Sequence, residues 1–138
     1  MTRKEQAVEY HHSAFNCAQA VACSFCDVTK KSMEDTYKFT EAFGLGLGGM
    51  RTCGAVSAMA IVVGLLNSDG DYNHPGQTKL DTYKKIAPLV SKFEKEVGTL
   101  VCKDIRGVGK ESPIMECDDC IRIAVEILEN YLNSQSEK

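Results

Sequence analysis

The feature that most constrains the fold is an apolar run, AVSAMAIVVGLL, at positions 55–66. The run is apolar on nearly every face of a helix, so we expect a central buried helix over residues 53–67. Its twelve residues are too few to cross a bilayer, and we therefore expect no membrane insertion. The other helices of the chain should pack around this one.

The remaining pattern is helical, and β-branched runs with period two are absent. A chain of 138 residues suits one domain. We predict an all-α fold, a single compact domain over residues 1–138 with about five to seven helices. The clearest loop is 68–77, Pro88 could kink or split the helix that ends at Gly98, and residues 133–138 should fray.

Charge and the first residues narrow the setting. The net charge is −3, basic residues are scattered and there is no tryptophan, so nucleic-acid binding is not expected. The start, MTRKEQAVEYHH, lacks the apolar segment of a secretory signal, so we expect a cytoplasmic protein. The faces of small residues would permit a homodimer but do not require one.

The chain has seven cysteines, an odd number. In a reducing compartment such a set indicates metal or redox chemistry more often than structural disulfides. Asn16, Thr52 and Thr99 are candidate N-caps just before three of these cysteines. A helix N-terminus favours the thiolate, which is both the nucleophile and the metal ligand. Four cysteines fall at or near predicted helix starts: Cys17, Cys53, Cys102 and Cys117.

A glycine-rich stretch, GLGLGGMRTCGAV at 44–56, precedes the central helix. It resembles a dinucleotide fingerprint only loosely, because a predicted helix rather than a strand comes before it and no P-loop lysine is present. Glycine permits positive φ and close approach of the backbone, here next to Cys53. The residues predicted to bring backbone close to a group held by the cysteines are Gly49, Thr52 and Gly54.

Few basic side chains are candidates for activating a thiolate. Arg51 lies close enough in sequence to stabilise a thiolate at Cys53. His11 and His12 are adjacent on a helix, so we expect that they cannot face one site together and that each faces solvent or is locally bonded.

Two CxxC spacings occur, CSFC and CDDC. Cys23 and Cys26 lie late in their helix, without an N-terminal dipole to favour the thiolate. The carboxylates of CDDC oppose thiolate formation at Cys117 and Cys120. About ninety residues separate the two CxxC pairs, and this separation does not favour a zinc knuckle. No CxxCH motif is present, so we expect no c-type haem.

Four segments together resemble a known family: NCAQAV, GGMRTCGAV, VCKDIRG and CxxCIRxAVEIL. From about residue 10 to 132 the chain resembles the C_GCAxxG_C_C family of redox-active proteins. The resemblance implies that the family's four cysteines are Cys17, Cys53, Cys102 and Cys117. It leaves three extra cysteines: Cys23, Cys26 and Cys120. One departure is Ala58, which stands where the CGAxxG motif has glycine.

These residues lead to two forms of one hypothesis, a redox protein whose four cysteines converge. They could ligate an iron–sulfur cluster, for which four thiolates are the ordinary complement. They could instead form dithiol/disulfide pairs, with Cys17 or Cys53 as the attacking thiolate. The sequence does not separate these forms, nor does it specify the electron partner. The alternatives from other classes are a non-catalytic helical binding module with cysteines in its core and a zinc-stabilised structural domain.

Overall fold

The computed structural model describes residues 1–136, which form an all-α domain without a β-strand, as predicted. Two of the helices are single turns, and their inclusion takes the number above the expected five to seven. The helices are α1 (Arg3–His12), α2 (Cys17–Cys23), α3 (Cys26–Thr29), α4 (Met33–Thr40), α5 (Gly54–Asn67), α6 (Lys79–Val97), α7 (Cys102–Ile105) and α8 (Cys117–Ser136).

Side-chain caps fix the starts of several helices. Asn16 caps α2: its side chain accepts from the Gln19 backbone N–H, and the Gln19 side chain accepts from the Asn16 N–H. Thr2 makes the equivalent capping box on α1, and the Ser32 hydroxyl accepts from the Asp35 N–H at the start of α4. These caps are local in sequence, and for that reason the sequence could predict them.

The predicted cap on the central helix is wrong by one residue. Cys53 rather than Thr52 is the N-cap of α5, and Thr52 is exposed and bridges to Val101 in an isolated antiparallel pair. The backbone around Thr52 is therefore occupied by pairing with a distant segment. Thr99 does not cap α7 either, because Val101 holds that position.

The central helix was placed correctly. Helix α5 packs against α2, α6 and α8, while α1 covers α8 and α4 covers α2. Its inward side chains, such as Met59, meet large buried residues from the surrounding helices: Phe25, Phe93, Ile121 and Leu128. Ala58, at the position of the family glycine, is fully buried in this helix.

Other expectations were tested at the later helices. Helix α6 runs unbroken through Pro88 to Val97, and Gly98 closes it with a φ of 105°. Helix α8 continues to Ser136, so the described part of the predicted frayed tail is helical, and residues 137–138 lie outside the described residues. No helix described here is long and apolar enough to cross a membrane.

Candidate functional site

Five of the seven cysteines line one small cavity where the starts of α2, α5, α7 and α8 meet. The cavity has a volume of about 20 Å³, room for one water-sized molecule. All seven thiols are free. The cavity is lined by Cys17, Cys53, Cys102, Cys117, Cys120, Leu45, Gly46, Gly54, Ile105 and Arg106.

Small residues bring the starts of α2 and α5 together. A Cβ added to Gly54 would lie 3.0 Å from the Phe43 carbonyl oxygen and 3.2 Å from the Ala18 nitrogen. A larger residue at this position would force the backbone of Phe43 or Ala18 to move by a few tenths of an ångström, so glycine favours the close approach of α5 to α2. Cys17 precedes Ala18 and Cys53 precedes Gly54, so the two cysteines face the same cavity.

Backbone pairing brings in a third element. The Cys53 N–H donates to the Leu100 carbonyl at 2.8 Å, and the Cys102 N–H donates to the Arg51 carbonyl at 2.6 Å. This short antiparallel contact joins the residue before α5 to the first residue of α7. It sets Cys53 and Cys102 side by side without help from sequence spacing.

The glycine-rich stretch closes the cavity with an unusual backbone. Leu45, Gly46, Leu47 and Gly48 all have positive φ, between 53° and 76°, which makes one left-handed turn. Such a turn is costly for residues with a Cβ. A Cβ on Gly46 would lie 2.5 Å from the Arg51 nitrogen and 2.8 Å from the Cys102 Cβ. The positive φ and close approach predicted for this stretch are thus confirmed at Gly46.

Cys17 and Cys117 form a half-buried thiol pair. The Cys17 thiol donates a hydrogen bond to the Cys117 sulfur, and this bond lowers the pKa of Cys117 to about 6. The same bond, with burial, raises the pKa of Cys17. Burial opposes the shift at Cys117, while the charges of Arg106 and His11 add to it. The pair therefore favours one thiolate, at Cys117, beside one thiol.

Cys53 and Cys120 form a second pair, and both are buried. A hydrogen bond from the Cys120 thiol lowers the pKa of Cys53 to about 7, against the effect of burial. The backbone N–H groups of Ala55 and Val56, in the first turn of α5, also lower it. The bond and burial raise the pKa of Cys120. The cavity thus holds two pairs, each favouring thiolate on one sulfur.

The fifth cavity cysteine, Cys102, is hydrogen-bonded to the Arg106 guanidinium one turn later in the chain. Burial lowers the pKa of Arg106. The hydrogen bond to Cys102 and the charge of the nearby Cys117 sulfur outweigh burial, so the pKa of Arg106 is raised overall. Arg51, the arginine proposed from the sequence, is exposed and does not line the cavity. Arg106 is therefore the cation that stabilises a cavity thiolate.

Cys117 and Arg106 also line a surface depression of about 450 Å³. There, His11 Nδ1 lies 2.8 Å from one carboxylate oxygen of Asp118, and His12 Nε2 lies 2.6 Å from the other. The expectation that the two adjacent histidines cannot face one site is wrong, because a single carboxylate between them reaches both rings. Cys117 thus connects the surface depression to the inner cavity.

The sequence-predicted site is only partly brought together. The four family cysteines and Gly54 line the cavity, whereas Gly49 and Thr52 are exposed outside it. The sequence analysis missed Arg106, and it set Cys120 aside as an extra. One signal could have found Cys120: it lies four residues before Ala124 on the apolar face of α8, and that face points into the core.

The donor set matches an iron–sulfur cluster in kind, because such clusters take four cysteine thiolates. Its arrangement does not match. Four of the five sulfurs are hydrogen-bonded in pairs, and the space between them takes one water-sized molecule. Within residues 1–136, no three His, Cys, Asp or Glu side chains are grouped so that they could hold a metal ion.

Comparison with known proteins gives one match. Residues 15–131 fit the family model described as "Putative redox-active protein (C_GCAxxG_C_C)". The matched span includes all five cavity cysteines and the left-handed turn. No match was found among curated proteins or among solved structures.

Proposed function

Because this chain belongs to the C_GCAxxG_C_C family of redox-active proteins, we propose that Cys17 and Cys117 are a dithiol that exchanges two electrons with a disulfide. The observation that carries the proposal is that Cys17 and Cys117 line one cavity and that Cys117 also lines the surface depression. A thiolate with a lowered pKa next to a protonated thiol is the arrangement that attacks and then resolves a disulfide.

The exchange has two steps. The Cys117 thiolate attacks one sulfur of a partner's disulfide, forming a mixed disulfide while the partner's other sulfur leaves as a thiolate and takes the Cys17 proton. The Cys17 thiolate then attacks the Cys117 Sγ, and the partner's remaining sulfur leaves as a thiolate. The partner disulfide is reduced by two electrons, and a Cys17–Cys117 disulfide remains. The reverse sequence oxidises a partner dithiol.

The residues around the Cys17–Cys117 pair have different proposed roles in the exchange. Arg106, held by Cys102, supports the thiolate form of Cys117 through its charge. The sequence pointed to Cys17 or Cys53 as the attacking sulfur, but the raised pKa of Cys17 suits a proton donor and resolving thiol better. The surface depression beside Cys117 is where we propose that the partner disulfide docks.

The test is to purify the full chain without oxygen and record its visible spectrum. Iron, sulfide and zinc are assayed, and free thiols on the protein are counted before and after one equivalent of oxidised glutathione. We expect a colourless protein that loses two thiols and gains a Cys17–Cys117 disulfide in a peptide map.

Other outcomes would contradict the proposal, each in its own way. Broad visible absorption with iron and sulfide would support the cluster. Bound zinc with unfolding by a chelator would support a zinc-stabilised domain. Thiols that resist every oxidant would support a binding module with cysteines in its core.

A further inference from the structure

The second thiol pair has no route of its own to an outside oxidant. Cys53 is 6% exposed and Cys120 is 2% exposed, so a disulfide-bearing molecule cannot reach either sulfur directly. Cys117 lines both the inner cavity and the surface depression. The buried pair is therefore accessible only through the outer one.

We propose that Cys120 is a relay cysteine that passes oxidation from the outer pair, Cys17 and Cys117, to the buried pair that it forms with Cys53. This inference rests on the proposed thiol–disulfide function and extends it to a residue that neither the family resemblance nor the sequence analysis selected. It predicts that one cavity can form two disulfides, so the fully reduced protein can give up four electrons.

The first turn of α8 makes the relay sterically feasible. Cys117 is the first residue of the helix and Cys120 follows three positions later, so both sulfurs lie on one face. Residues with this spacing have Cβ atoms about 5–6 Å apart, whereas a disulfide needs about 3.5–4.5 Å. The helix terminus must tighten by one or two ångströms, so the Cys117–Cys120 bond suits a short-lived intermediate rather than a resting state.

The transfer is an isomerisation that needs no further oxidant. It starts from the Cys17–Cys117 disulfide left by the partner. The Cys120 sulfur attacks the Cys117 Sγ, a Cys117–Cys120 bond forms, and Cys17 leaves and takes the proton that Cys120 gives up. The Cys53 thiolate then attacks the Cys120 Sγ, and Cys117 leaves as a thiolate. The Cys53–Cys120 disulfide that results is buried, and the outer dithiol is restored for a second partner disulfide.

The internal contacts support each transfer. Cys53 and Cys120 line the same cavity of about 20 Å³, so the second attack joins two neighbouring sulfurs. Cys117 lines this cavity as well, and its charge acts on both buried sulfurs. Cysteine side chains therefore follow one another from the surface depression to the buried pair.

The experiment titrates the full-length protein anaerobically with the aromatic disulfide DTNB. Each protein disulfide formed in this way releases two thionitrobenzoate anions. Every variant carries Cys26→Ser, because that half-exposed thiol lies outside the cavity and would react independently. With the cavity intact, we expect four anions and two mapped disulfides, Cys17–Cys117 and Cys53–Cys120.

Three variants separate the steps. Adding Cys120→Ser, or Cys120→Ala if the serine variant does not fold, should halve the release to two anions and leave only the Cys17–Cys117 disulfide. Adding Cys117→Ser should prevent the Cys53–Cys120 disulfide, because the buried pair loses its connection to the surface. Adding Cys23→Ser, which replaces a buried cysteine outside the cavity, is the matched control and should still give four.

The possible failures are distinct. Release of two anions with the cavity intact, from Cys17–Cys117 alone, would overturn the relay and leave the proposed function standing. A Cys53–Cys120 disulfide that forms at full rate in the Cys117→Ser variant would also overturn the relay, because the buried pair would then be oxidised directly. Absence of any cavity disulfide would overturn the proposed function itself.

Discussion

The molecule contains two CxxC segments of identical spacing in opposite chemical states. Cys23 ends α2, and burial, followed by the effect of Cys26, raises its pKa to about 12. Cys117 begins α8, and the hydrogen bond from Cys17 lowers its pKa to about 6. Spacing is common to both pairs, so it cannot be what creates the reactive thiol.

The surroundings of the two segments account for the difference. The Cys26 thiol lies 3.4 Å from the Thr36 hydroxyl, a neutral contact from the next helix. Cys117 instead faces a second thiol from α2 and a guanidinium from the end of α7. A reactive CxxC in this fold requires donors and charge from elements that are distant in sequence. A position at a helix start helps to lower the pKa of a cysteine, but it is not sufficient by itself.

Replacing one cysteine in each segment should break the comparison most visibly. Cys117→Ser should abolish disulfide formation with one equivalent of oxidised glutathione, because the attacking thiolate is gone. Cys26→Ser, a half-exposed cysteine of the other segment, should leave the loss of two thiols unchanged. Thiol counting before and after oxidation measures both. Equal losses in the two variants would mean that the CxxC segments do not differ in function.

The close packing behind the reactive segment can be tested with two glycines of the same left-handed turn. Gly48→Ala should cost about 1–2 kcal/mol for the positive φ alone, since nothing lies within 4 Å of its added Cβ. Gly46→Ala should cost about 1–3 kcal/mol more, because its Cβ would overlap Arg51 and Cys102. Urea denaturation of the reduced protein measures both values. Equal costs would show that the turn does not press on the cavity.

The contribution of charge to the reactive segment should be the smallest of these effects. Arg106→Gln should slow iodoacetamide alkylation of Cys117 at about pH 5, below its pKa of about 6, by roughly 1.4- to fivefold, which corresponds to an exposed charge interaction of about 0.2–1 kcal/mol. Lys103→Gln removes a positive charge from the same short helix but outside the cavity, and it should change the rate little. A similar decrease in both variants would assign the effect to net charge instead of to Arg106.

The sequence supported predictions that rest on local physics. The cap at Asn16 and the apolar run of α5 depend on residues within a few positions of one another, so pattern alone identifies them. The placement of four cysteines at or near helix starts followed from the same patterns. The predicted cap at Thr52 was wrong, because the backbone of Thr52 pairs with Val101, far along the chain, and not with the start of the helix.

The missing part of the site depends on packing between distant elements. Arg106 approaches Cys117 only because backbone pairing fixes α7 beside the start of α5. The carboxylates of CDDC seemed unfavourable for a thiolate, yet Asp118 turns outward to His11 and His12. Neither contact follows from the spacing of residues in the sequence. The sequence therefore predicted the cavity cysteines more completely than the groups that shift the pKa values of their thiols.

Alkylation of each cysteine as a function of pH tests the central claim most directly. The reduced full chain is pulsed with iodoacetamide between about pH 4 and pH 10, and each cysteine is quantified by mass spectrometry, because alkylation follows the thiolate fraction. Our account predicts that Cys117 is modified fastest, with a midpoint near the pKa of about 6, and that Cys23 stays unmodified throughout. Equal midpoints for Cys117 and Cys23 would contradict the account.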